Sequence, residues 1–166
     1  MKTIFAFTFC VFAFGAFAQE EIVVSKEPSD DQKFQFNVVE KIPVIKGCGS
    51  LSTTDQEQQK ECMQYNIVKH VGDNFEFPEN ARMRGIQAKI YIGFVIERDG
   101  SISNVEIYKG AESAYKDAKK KKRAAAKELD KEAIRVIKLL EFLEPAYQKG
   151  KPVRMSFTMP INAKLS

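Results

Sequence analysis

The chain of 166 residues has no tryptophan, one histidine, three cysteines and only six prolines, none of them in a repeat. With His70 alone, neither a histidine-based zinc site nor a paired-histidine acid–base centre can be built. Its place in the last turn of an expected helix suits a capping or surface role at the negative end of the dipole. No G-x-S-x-G turn offers a serine nucleophile, because Ser50 and Ser52 stand in an ordinary loop, and no glycine-rich phosphate loop occurs. Neighbouring carboxylates such as Glu97 with Asp99, and Asp130 with Glu132, fit turn and helix-start chemistry better than acid–base catalysis. Excess charge is scarce as well. Lys and Arg number 26 against 22 Asp and Glu, and a net +4 is too small to argue for nucleic acid. These absences leave no catalytic residues, no metal and no cofactor to expect, so the chain does not read as an enzyme.

Long apolar runs are confined to the start. Lys2 precedes Ile4 to Ala18, which closes on Ala16-Phe17-Ala18 before Gln19-Glu20-Glu21. A basic start, a short apolar core and an A-x-A site describe a secretory signal peptide over 1–18, cut between Ala18 and Gln19. The alternative is an uncleaved inner-membrane anchor, but the run is shorter than the roughly 20 apolar residues a spanning helix needs. Cleavage removes Lys2 and leaves 25 basic residues against 22 acidic, about +3. The chain beyond residue 18 is long enough for one compact domain with a modest core. The expected compartment is the periplasm, with at most peripheral membrane contact. Once Cys10 has gone, Cys48 and Cys62 form an even pair in an oxidising compartment, where a structural disulfide is expected. Thirteen intervening residues exclude C-x-x-C redox spacing, and no second cluster completes a metal site.

Residues 19–33, rich in Glu, Asp, Ser and Lys, read as a flexible leader. Residues 34–72 come next as an N-terminal extension. In it Phe34, Phe36 and Val38 alternate as in a half-buried strand, continued through Val44-Ile45 on a sheet edge that Pro43 tolerates. Thr54 with Glu57 has the capping-box pattern, and Met63, Ile67 and Val71 mark one helix face that ends at Gly72-Asp73-Asn74.

The rest, 73–166, opens with a short helix whose first residue is Pro78 and whose stop is a left-handed Gly85. Ile90, Ile92, Phe94 and Ile96, then Asp99-Gly100, then Ile102, Val105 and Ile107, predict a hairpin. Leu129, Ala133, Val136, Ile137 and Leu140 predict an amphipathic helix ended by Pro145. Helical spacing back to Tyr115 extends it as one helix from about Ser113. On it the basic run Lys119–Arg123 reads as a solvated face, or else as a contact for lipid headgroups or an acidic partner. In the last strand Val153, Met155, Phe157 and Met159 alternate with Arg154, Ser156 and Thr158, one face buried and one wet.

Taken in order, several segments resemble the C-terminal domain of TonB. They are Phe77-Pro78 with Ala81 and Gly85, Val95 to Gly100, Leu129 to Ala133, Glu144-Pro145, Gly150 to Val153 and Pro160 to Leu165. The resemblance implies an α+β fold, a small antiparallel sheet with helices packed on one face, preceded here by the disulfide-stapled strand–helix extension. It also implies docking to outer-membrane TonB-dependent receptors, or an associated envelope protein, in uptake such as that of iron–siderophores. A receptor segment would pair with the last strand, here Val153, Arg154, Met155, Ser156, Phe157, Thr158 and Met159, while Arg82 and Arg84 would meet its carboxylates. Three alternatives stay open: an energy transducer if the first segment remains an anchor, a structural envelope protein that binds lipid or glycan, and a homodimer. The insertion at Ala111 to Lys127 is longer than the family pattern, and no proline-rich spacer is present.

Overall fold

The computed structural model describes residues 33–35, 39–49 and 55–165. The expected signal segment, nearly all of the leader, Phe36, Val38 and Thr54 lie outside them. By internal contacts the chain divides into 1–30 and 31–166, and every described residue belongs to the second unit.

The extension enters as three separate pieces rather than one edge strand. Strand β1, Lys33–Gln35, and strand β2, Val44–Ile45, are separated by a lone bridge from Lys41 to Tyr147. Pro43 is fully buried between them. Helix α1, Gln56–Asn74, starts one residue later than a Thr54 cap would place it. Asp55 accepts the backbone N–H of Glu57 and Gln58, and so satisfies two of the donors a helix start leaves unpaired. The helix ends at Asn74, within the expected Gly72-Asp73-Asn74 segment, and closes with the Phe75 N–H on Val71 O. Met63 and Ile67 are buried on the expected face. Cys48 and Cys62 are bonded, with Cα atoms 6.1 Å apart, and staple α1 to the loop after β2.

Helix α2, Glu79–Met83, takes Pro78 as its N-cap, and Gly85 follows in the left-handed region at φ 61°. Only a residue without Cβ enters that conformation at no steric cost, so the helix ends where the sequence places the glycine. The hairpin is β3, Ala88–Ile96, and β4, Ile102–Lys109. At its turn Asp99 accepts from both the N–H and the hydroxyl of Ser101. The uneven spacing Ile102, Val105, Ile107 has a structural cause. Asn104 sits at φ 46° within a register shift, and such a bulge inserts one residue into β4.

The expected single helix from Ser113 is two. Helix α3, Ala111–Ala114, is separated by residues 115–119 from α4, Lys120–Lys138. Asp130 lies inside α4 and not at a helix start, and it reaches back to the first residues of α3. Its carboxylate accepts the N–H of Ala111 at 2.6 Å and of Glu112 at 2.8 Å, capping α3 across the gap. Gly110 makes the approach possible, since a Cβ there would sit 2.5 Å from Asp130 Oδ2. Burial pushes the Asp130 carboxyl up, and the two N–H donors pull it back down. Leu129, Ala133, Val136 and Ile137 of α4 are fully buried as predicted, packed toward β3 and β4.

Pro145 does not end this helix, which stops at Lys138. It separates β5, Phe142–Glu144, from β6, Ala146–Gln148. A turn at Lys149-Gly150, both with positive φ, leads into β7, Lys151–Ala163. The sheet order is β1-β7-β3-β4, with β6 also on β7, and β2 pairs with β5 in a separate ribbon. Of these contacts β1 on β7 is parallel and the others are antiparallel. The core lies between the sheet and helices, with Ile90, Ile92, Phe94, Ile96, Met155 and Ile161 facing α4 and α1 residues in one cluster.

Two side chains join α1 to α4. His70 is neither a surface group nor a cap for its own helix. Its Nε2 lies 3.1 Å from Val136 O, which can only accept, so this nitrogen donates to a carbonyl in the last turn of α4. In return Arg135 donates to Asn74 O at the end of α1.

Candidate functional site

A strand offers itself to another polypeptide only where its backbone groups lack a neighbour. Along β7 that condition varies. Ala146 to Gln148 of β6 pair with Lys151 to Val153. Residues Met155 to Ala163 pair with β3 on one side. On the other side β1 covers Arg154, Met155 and Ser156. Both edges of Met155 and Ser156 are therefore occupied, contrary to the expectation that a receptor segment pairs along Val153 to Met159. From Thr158 to Asn162 no second strand among the described residues lies along the rim away from β3.

Pro160 tells which backbone groups point that way. It lies in the middle of the ladder with β3, opposite Tyr91, yet has no N–H to donate. A proline persists inside a sheet where its nitrogen faces away from the neighbouring strand. Because backbone direction alternates, Arg154, Ser156, Thr158 and Asn162 share that outward side with Pro160. The outward N–H donors thus run Arg154, Ser156, Thr158, then a gap, then Asn162.

Beside this rim runs a groove of about 1180 Å³, walled by Val68 and Val71 of α1, by Phe75, Phe77 and Arg82, and by Phe157 through Leu165. Val68 is 64% exposed, so apolar surface remains uncovered there. The structure brings Phe157, Thr158, Met159 and Arg82 to one groove. It does not bring Val153, Arg154, Met155, Ser156 or Arg84 to its wall. Val153, Met155 and Met159 are buried, as the alternation predicts, and Thr158 is exposed. Phe157 is only partly buried, its ring 5.5 Å from that of Phe94.

Arg154 has an internal role that its place on the wet face did not reveal. Its Nε and Nη2 donate to the two carboxylate oxygens of Glu97 at 2.7 and 2.9 Å, and the Ser103 hydroxyl donates to Glu97 too. Both partners are largely shielded, with 17% and 24% of their side chains exposed. The Arg154 hydrogen bond holds the Glu97 carboxyl below its ordinary value, against burial, which pushes it up. Arg82, by contrast, is exposed, 3.4 Å from Phe77 O and 4.0 Å from Glu79, and keeps donors for an incoming group. Arg84 is exposed just before Gly85.

The basic run opens α4, with Lys119 as N-cap and Lys120 to Arg123 in its first turn, all exposed. Cations at a helix N-terminus oppose the dipole, so this charge does not stabilise the helix. Arg123 reaches Glu112 at 3.0 Å, and Lys122 lies 5.1 Å from the Tyr115 ring centre. Among the described residues no helix is long and apolar enough to cross a membrane.

Among solved structures, the chain is similar to the NMR solution structure of Helicobacter pylori TonB-CTD, at 17% identity and a TM-score of 0.36. That match covers 69% of this chain and 89% of the other. No curated protein matches the chain significantly. The family described as Gram-negative bacterial TonB protein C-terminal matches residues 73–165, from the end of α1 to the end of β7. With more than half its length matched, the chain belongs to the TonB C-terminal family.

Proposed function

We propose that this protein is an exported periplasmic binding module that takes a short N-terminal segment of an outer-membrane receptor onto the rim of β7. Domains of this family in general interact with outer-membrane receptors. The observation that carries the reading is the rim from Thr158 to Asn162, which has outward backbone groups and an apolar groove alongside. Main-chain hydrogen bonds to Thr158 and Asn162 would supply affinity, and the groove would select side chains. Arg82 at the groove wall would take a carboxylate on the incoming segment. Arg84 would act only at longer range.

Export rests on the 1–18 segment and its A-x-A site. A domain released in this way binds a receptor without pulling on it, whereas an uncleaved anchor would make it a transducer. Uptake of a nutrient such as an iron–siderophore is the process this docking would serve.

The test is binding of peptides that span the N-terminal periplasmic segments of the host's outer-membrane receptors. Binding that is lost in an Asn162→Pro variant, and kept when Lys119–Arg123 are all replaced by Gln, supports the reading. Envelope association that depends on those five cations, with no peptide bound, would instead favour a lipid- or glycan-binding envelope protein.

A further inference from the structure

We propose that β1 is a resident occupant of the docking rim, which an incoming segment must displace to gain a continuous ladder. The inference rests on the strand-addition reading above. Before the gap at Pro160 the outward donors are Arg154, Ser156 and Thr158, and β1 lies in register against the first two, with Lys33 at Arg154 and Gln35 at Ser156. Counting the described residues alone, a partner that leaves β1 in place reaches a single donor, Thr158, before the proline interrupts it. One that removes β1 reaches three in succession.

The contact is built to be given up. Among the described residues only Lys33 to Gln35 pair, and a contact that short contributes little on its own. Its first register pair sets Lys33 beside Arg154, and like charges in facing positions destabilise a sheet. The two hydrogen bonds of Arg154 to Glu97 run to β3's side and do not involve β1. Beyond β1 the chain is held by the Lys41 bridge to Tyr147, which does not depend on β1. An autoinhibitory segment tethered this way competes at high effective concentration and filters out weak partners.

Two full-length variants test this in opposite directions. Phe34→Pro with Gln35→Pro silences whichever of the two residues donates to β7, and Lys33→Glu gives β1 an attractive partner for Arg154. The probes are the receptor-segment peptides and a labelled peptide of residues 31–38 of this chain. The proline variant should bind receptor peptides about tenfold more tightly than the unchanged protein, the return from freeing one or two net backbone hydrogen bonds. It should also bind the 31–38 peptide, which the unchanged protein should not. Lys33→Glu should weaken receptor-peptide binding. Equal binding of receptor peptides by all three forms would overturn the displacement proposal and leave strand addition standing. Receptor peptides bound by none would overturn the docking reading. Capture of the 31–38 peptide by the proline variant alone would then still support β1 as occupant.

Discussion

Proline substitutions at adjacent positions of β7 separate its two edges. If Pro160 faces its nitrogen outward, so does Thr158, while Phe157 donates toward β3. Thr158→Pro then removes an outward N–H and leaves the ladder to β3 intact, and the fold should lose little. Receptor-peptide affinity should fall roughly fivefold, the value of one net backbone hydrogen bond of about 1 kcal/mol. Phe157→Pro breaks a bond to Phe94 in the β3–β7 ladder and deletes a ring 5.5 Å from that of Phe94. The expected cost is about 3 kcal/mol, a fall of roughly 10 °C in melting temperature for a domain of this size. Circular dichroism melts and fluorescence anisotropy on the same samples read both effects. Equal destabilisation by the two prolines would refute the assignment of outward donors.

Arg154→Ala leaves a shielded Glu97 carboxylate with only Ser103, and should cost about 2 kcal/mol in urea unfolding at neutral pH. Because the folded Glu97 value is depressed, this contribution is whole above the ordinary 4.5 and is lost as pH falls through the folded value. The gap between variant and unchanged protein should therefore close in acid; a gap that persisted would assign the cost to packing. Replacing Cys48 and Cys62 by Ser should lower stability by about 3 kcal/mol, for a loop of 14 residues, with α1 the first element to exchange its amides. Edman sequencing of protein recovered from the periplasm should begin at Gln19, and a start at Met1 would favour an anchored transducer.

Periodicity is a good guide wherever one element buries a continuous stripe. The Leu129–Ile137 face of α4, the alternation of β7 and the Asp99-Gly100 hairpin all stand as expected. It fails where the partners lie far apart in the chain. The spacing from Tyr115 to Leu129 is compatible with one helix. The chain instead breaks at residues 115–119, and Asp130, brought back over Gly110, caps the start of α3 from within α4. His70 is a comparable case, because its partner Val136 lies 66 residues away. Strands β5 and β6 escape a reading by pattern because each has three residues, too few to show a period.

The candidate site is legible in part. Alternation places Thr158 on the open face, and the disulfide pair is expected from compartment and count. Arg154 carries no sequence signal of its bond to Glu97, 57 residues away. Nor can spacing show that Lys33 to Gln35 lie on the very strand expected to receive a partner. Pro160 does carry a signal in the sequence: a proline inside an alternating strand marks an edge, and it names which backbone groups face it.

A receptor segment seated on the outer rim of β7 can be captured by photocrosslinking in living cells. A benzophenone amino acid at Thr158 or Asn162, with mass spectrometry of the adduct, should map the partner to the N-terminal periplasmic segment of an outer-membrane receptor. Adducts to receptors from position 120 or 121 on α4, with none from either rim position, would contradict the account.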